Sequence, residues 1–156
     1  MALRNIVPDT DPIMHKKSKE VTKFDDKLAM LLDDMAETLD VANGIGLAAV
    51  QVGILKKAFI IHTEHGIKEF VNPQIIEEDG IQEGGEGCLS IKGYEGFVKR
   101  PMYVMVKAQD RYGKEFISFG AELMARAVCH ETDHLYGITI REKAEYEILP
   151  DEELAE

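Results

Sequence analysis

Ala121-Glu122-Leu123-Met124-Ala125-Arg126-Ala127-Val128-Cys129-His130-Glu131-Thr132-Asp133-His134-Leu135 reads as one helix. Most of its first half consists of strong helix formers, no proline interrupts it, and Gly137 follows as a stop signal. The pattern His-Glu-x-x-His sets His130 and His134 one turn apart on one face, where both imidazoles can bind a single metal ion. Glu131 adjoins the first histidine and can reach a water held in an open coordination position, as a general base does. Leu123 and Ala127 share the face of His130 and His134, so apolar side chains line the approach to the ion. The same short pattern also arises by chance on surface helices, and a catalytic zinc-type site needs about three protein ligands. The rest of the chain must supply the third.

The surrounding composition is that of an ordinary folded domain. The chain has 156 residues, 45% hydrophobic and 30% charged, enough for one sizeable core without staples. A single domain over 1–156 is expected. No apolar run is long enough to span a bilayer, and positions 1–10 lack the apolar stretch of a secretory signal. With only Cys88 and Cys129 present, a structural disulfide is not expected and a cytoplasmic setting is. A net charge of −11 argues against nucleic-acid and anionic-membrane partners, which need a basic footprint.

Upstream of the helix, Pro8 and Pro12 favour extended or turn structure. Asp25 or Asp26 reads as an N-cap, followed by Leu28, Leu31, Leu32, Met35 and Leu39 at helical spacing, with Asn43-Gly44 ending an amphipathic helix. Asp33, Asp34, Glu37 and Asp40 read as its solvated face. In Gly44-Ile45-Gly46-Leu47-Ala48-Ala49-Val50-Gln51-Val52-Gly53 the small residues let other groups approach the backbone. The stretch lacks the endings of a phosphate loop. Gln51 is its one side chain able to donate hydrogen bonds to a substrate carbonyl. Strands are expected at 58–62 and at 68–76, the latter interrupted at Pro73, which suggests an edge or the end of pairing. A hairpin is expected over 103–119, turning at Asp110-Arg111-Tyr112-Gly113, and a last short strand at 138–140. His62 and His65 read as surface residues.

Cys88, in Glu86-Gly87-Cys88-Leu89-Ser90, sits in a glycine-flanked turn. Its thiolate could complete a His2Cys set, or the residue could be a small buried hydrophobe, the commoner fate of a free cysteine. The element order shows no βαβ alternation. It points to an α+β fold, with largely antiparallel sheets packed around the late buried helix and an amphipathic helix near the N-terminus.

Three stretches, Gly44 to Gln51, Glu86 to Ser90 and His130 to His134, resemble the three motifs of peptide deformylase, in that order and at about that family's separations. Val7-Pro8-Asp9 and the Asp110/Gly113 hairpin are similar too, so the resemblance covers nearly the whole chain. It implies a hydrolase that removes the formyl group from N-formylmethionine at the start of nascent bacterial proteins. Cys88, His130 and His134 would hold one divalent ion, usually Fe2+ in this family, with Zn2+ and others able to occupy the site. Glu131 would be the general acid/base acting on metal-bound water. Gln51 and the backbone N–H of Leu89 would bind the formyl oxygen as an oxyanion hole does. The backbone of Ile45 and Gly46 would pair with an extended peptide, and Leu123 and Ala127 would wall the methionine side chain.

Two positions depart from the family pattern. Lys92 stands where proline is common, on the rim of the implied peptide cleft. Cys129 stands where glutamine is common and reads as a core residue. Arg100 could pair with Glu86 and brace the cysteine turn. Two other functions compete: a generic His-Glu-x-x-His zinc peptidase, which leaves Cys88 and the glycine-rich stretch unexplained, and an inactive ribosome-associated homologue, which should have lost one of the five reactive residues. The segment from Arg141 onward carries Glu142, Glu145, Glu147, Asp151, Glu152, Glu153 and Glu156 against Arg141 and Lys143. Such an acidic tail is expected not to anchor the protein to ribosomal RNA.

Overall fold

The short β-branched runs and glycine-rich turns resolve into two antiparallel sheets. A computed structural model of the chain describes residues 2–150. Its elements run α1 (Asp26–Ala42), β1 (Gly46–Ala48), β2 (Ala58–Thr63), β3 (Gly66–Asp79), β4 (Gln82–Cys88), β5 (Ile91–Arg100), β6 (Tyr103–Gln109), β7 (Glu115–Ala121), α2 (Leu123–Leu135), α3 (Ile140–Lys143) and β8 (Tyr146–Glu147). One sheet has the order β1-β2-β3-β6-β7 and the other β4-β5-β8. The class is α+β.

Strand β2 shows how the layers form. Phe59 and Ile61 join one core cluster, with Ala125, Val128, Cys129 and Leu135 of α2. Ala58 and Ile60 join the other, with Leu28, Leu31, Leu32, Met35 and Leu39 of α1. The two helices therefore cover opposite faces of the larger sheet, and β2 is apolar from Ala58 to Ile61 because both its faces are buried there. Asp25 caps α1 by accepting the N–H of Leu28 (3.1 Å), and Asn43 ends it in the left-handed conformation (φ 55°). Helix α2 leaves β7 after one residue, Glu122, whose φ of 56° is strained for a non-glycine. That corner is held by the Gln82 side chain, which donates to the Glu122 carbonyl (2.7 Å), and it drops α2 directly onto the sheet.

Four expectations are corrected. Pro73 marks a local break in pairing and not an edge: β3 lies third of five strands, and the pairing register with β6 slips between Val71 and Gln74. A bulge, with Asn72 at φ 49°, removes the ladder bond that proline cannot make. Asp34 is buried rather than solvated, accepting the Ala2 N–H (2.7 Å) and Arg4 Nε (3.0 Å). Asp33 pairs with Arg111 of the β6–β7 turn (2.7 Å). Residues 138–140 form no strand. Thr139 instead caps α3. Of the acidic tail, 151–156 lie outside the described residues. The part before them is structural: β8 pairs with β5, and the Tyr146 ring stacks on Phe97 with centroids 5.0 Å apart.

Candidate active site

Two periodicities meet at the site. Along β4 side chains alternate, so Glu86 and Cys88 point the same way. Along α2 residues four apart share a face, so Arg126, His130 and His134 do too. Where the strand crosses the helix, Cys88 Sγ lies 3.4 Å from His134 Nε2, and that nitrogen lies 3.2 Å from His130 Nε2. These donor atoms all lie within 4.8 Å of one another.

Glu86 explains the orientation of His130. Its carboxylate accepts from His130 Nδ1 (2.9 Å), from Arg100 Nε and Nη2 (2.9 and 3.0 Å) and from Arg126 Nη1 (2.6 Å), all buried. Burial would raise its pKa, but the His130 and Arg100 hydrogen bonds outweigh that and hold it at about 2. Arg100 also donates to Asp133 (2.6 Å). The Glu86 hydrogen bond keeps a proton on Nδ1, so when a metal ion displaces the other ring proton it is Nε2 that offers a lone pair. The sulfur and the two Nε2 atoms converge on one point, each able to donate an electron pair to a metal ion.

A metal ion fits that arrangement. Tetrahedral bonds of about 2.0 Å to nitrogen and 2.3 Å to sulfur separate the donors by roughly 3.3–3.6 Å. The observed 3.2 and 3.4 Å lie close to those edges. The electrostatics agree. Burial opposes a charge on His130, yet Glu131, Cys88 and Glu86 lift its pKa to about 10. His134, buried beside it, is pushed well below the usual value. The carboxylates that favour a positive charge on His130 favour a metal cation at the same place.

Glu131 lies 4% exposed beside this cluster, with Oε2 3.9 Å from His130 Nε2 and Oε1 without a hydrogen-bond partner among the described residues. Burial raises its pKa to about 7. Its carboxylate packs against the backbone of Gly46, where a Cβ would fall 2.7 Å from Oε2. Glycine there is the condition for Glu131 to occupy its place. Gln51 is oriented without ambiguity: Oε1 accepts the Ala48 N–H (2.9 Å), so Nε2 must donate towards Ser90 Oγ (3.1 Å) and Cys88 Sγ (3.6 Å).

These groups form the floor of a cavity of about 470 Å³. Ile45, Gly46, Gln51, Cys88, Leu89, Leu123, Ala127, His130 and Glu131 all line it, whereas His134 is buried behind. Residues 44–46, which lead into β1, and 85–89, at the end of β4, line it consecutively, so the cavity runs along both chain segments. β1 and β4 are each the outermost strand of their sheet. An extended chain could hydrogen-bond both edges at once. Cys129, by contrast, is core, its thiol pushed up to about 12 by burial. Sequence reasoning paired Arg100 with Glu86 but missed Arg126, although its place one turn before His130 was the available signal. Glu86 as a shared acceptor was signalled only by its period-two relation to Cys88.

Comparison with known proteins places the chain in context. A family model described as polypeptide deformylase matches residues 3–147. A protein of Caldicellulosiruptor bescii named peptide deformylase is 54% identical over 143 residues, covering 92% of this chain and 86% of that protein. Another of that name, from Alkaliphilus metalliredigens, is 50% identical, covering 92% of this chain and 97% of its own. The crystal structure of peptide deformylase from Thermotoga maritima superposes with a TM-score of 0.90 at 34% identity, over 92% of this chain and 99% of that one.

Proposed function

We propose that this chain, which belongs to the peptide deformylase family and is an enzyme, removes the formyl group from the N-terminal formylmethionine of newly made proteins. The observation that carries the reading is the convergence of one sulfur and two imidazole nitrogens beside a buried carboxylate oxygen that has no hydrogen-bond partner among the described residues, at the floor of a cavity between two strand edges.

Cys88, His130 and His134 would hold one divalent ion, Fe2+ on the family's precedent, with Zn2+ or another divalent ion suited to the same donors. A bound ion supplies Lewis acidity, lowering the pKa of water and polarising a carbonyl. Glu131 takes a proton from the attacking water and returns it to the departing amine nitrogen. A C–O bond forms, the formyl C–N bond breaks, and formate and a free amine result. Its raised pKa suits a group that must both accept and give. Gln51 Nε2, steadied by Ala48 and Ser90, and the N–H of Leu89 donate to the formyl oxygen as negative charge develops there. The edge at Ile45 and Gly46 pairs with the substrate backbone, and Leu123 and Ala127 wall its methionine side chain. Glu86, fixed by Arg100 and Arg126, keeps His130 in the tautomer a ligand needs.

Among the described residues no helix is long and apolar enough to cross a membrane. We place the reaction in the bacterial cytoplasm, with the enzyme reaching nascent chains by diffusion or through a surface other than its acidic tail. The test is formate release from formyl-Met peptides by protein purified without oxygen, with metal analysis of the same sample and a check that internal peptide bonds stay whole. Glu131→Gln should keep the metal and lose roughly 10²–10⁴-fold in rate. Normal turnover in that variant would remove Glu131 from its role, and peptide-bond cleavage without formate would favour a peptidase.

A further inference from the structure

Four side chains with formal charges line the cavity besides His130: Glu86, Lys92, Arg126 and Glu131. Glu86 and Arg126 neutralise each other in the buried cluster (2.6 Å), and Glu131 faces the reacting centre. Lys92 is exposed, lines the cavity from its mouth and enters no ion pair among the described residues. In a chain of net charge −11 it is a free cation at the entrance.

The start of β5, which carries it, is braced. The Asp9 N–H donates to the Ser90 carbonyl (2.9 Å) at one end. At the other, the Arg141 guanidinium lies 4.7 Å from the centre of the Tyr94 ring, and Arg141 Nε is in turn held by the Asp9 carboxylate (2.6 Å). Between them Gly93 adopts φ 75°, a conformation glycine takes without strain. The backbone at Lys92 is therefore anchored on both sides, and its long side chain alone is left to move over the opening.

A peptide bound by its formyl end at the floor must leave past this rim. We propose that Lys92 biases the enzyme toward formylated chains carrying an aspartate or glutamate in the two residues after methionine, an inference that rests on the deformylase reading. The contact is solvent-exposed, so its effect is modest and screened by salt. It acts on binding and not on the chemical step, because Lys92 is absent from the cluster around Glu131.

The experiment compares formyl-Met tripeptides with Asp, Asn or Lys at the second position, and the same three at the third, using the metal-loaded enzyme at low and high salt. The ratio of KM values is taken within each protein, so that any general change in activity cancels. Wild-type enzyme should show a KM roughly two- to fivefold lower for Asp than for Asn in at least one position, shrinking at high salt. Lys92→Gln should abolish the difference and Lys92→Glu should turn it into a preference for Lys. Equal KM values in the wild type, or an Asp preference that survives in Lys92→Glu, would overturn the proposal. Absence of formate from every peptide would overturn the deformylase reading itself.

Discussion

Replacing Gly46 with alanine should act on catalysis through Glu131. The added Cβ would lie 2.7 Å from Glu131 Oε2 and 3.1 Å from both its Cδ and Cγ, where ordinary contact begins at 3.4 Å. The carboxylate oxygen must therefore retreat by about 0.7 Å, the difference of those two distances. Misplacing a reacting group by about 1 Å can cost roughly 10²-fold, so Gly46→Ala should lower kcat by about 10- to 10²-fold. Stability should suffer little, by about 1 kcal/mol, at the low end for an overpacked site, because the group that moves is the end of a side chain. The assay is steady-state formate release alongside thermal unfolding and metal content, both of which should stay near wild type. The decisive comparison is a double-mutant cycle. In a Glu131→Gln background the base is already gone, so Gly46→Ala should do almost no further harm. An alanine variant with wild-type kcat would refute the reasoning, as would one equally damaging in both backgrounds.

Glu86→Ala should destabilise the fold by about 3–5 kcal/mol in urea unfolding, because it leaves the Arg100 and Arg126 cations buried without their shared carboxylate. A loss below about 1 kcal/mol, the scale of a surface pair, would contradict the buried-network reading. Cys88→Ser should weaken metal binding in equilibrium titrations, since a neutral hydroxyl replaces a thiolate, and wild-type affinity in that variant would return Cys88 to the core. Removing 151–156 should leave formyl-peptide turnover unchanged. Removing 144–156 should lower stability and raise KM, because β8 and the Ile148 N–H to Glu95 hydrogen bond (2.8 Å) hold β5, which carries the cavity rim. Equal behaviour of the two truncations would show that this pairing contributes nothing.

Much of the molecule was legible from local pattern. Helix α1, a cap at Asp25 or Asp26 and its buried leucines follow from local signals that any amphipathic helix shows, α2 from its helix formers, and the β6–β7 hairpin from its strand and turn residues. The misreadings came where a local rule met a tertiary exception. Pro73 suggests an edge or a break in pairing because a central strand usually cannot spare an N–H; the edge failed because a bulge removed the need for that N–H. Asp34 lies on the polar side of α1, but the segment beginning at Ala2 folds over it and supplies two donors. The short α3 was invisible because a four-residue helix has too little periodicity to detect.

The same division runs through the site. By itself the sequence determined the chemical inventory: two histidines one turn apart, an adjoining carboxylate, a cysteine among glycines and an amide-bearing stretch of small residues. Those are statements about residue type and short-range geometry, which helix and strand periods dictate. Only the tertiary structure decided that Cys88 Sγ meets His134 Nε2, that Glu86 gathers Arg100, Arg126 and His130, and that the open space above Gly46 belongs to Glu131. Each of those contacts joins positions 14 to 85 residues apart, by the numbers they carry. Pairings of that span arise when sheets and helices bury their apolar faces together, and no local preference of the chain encodes them.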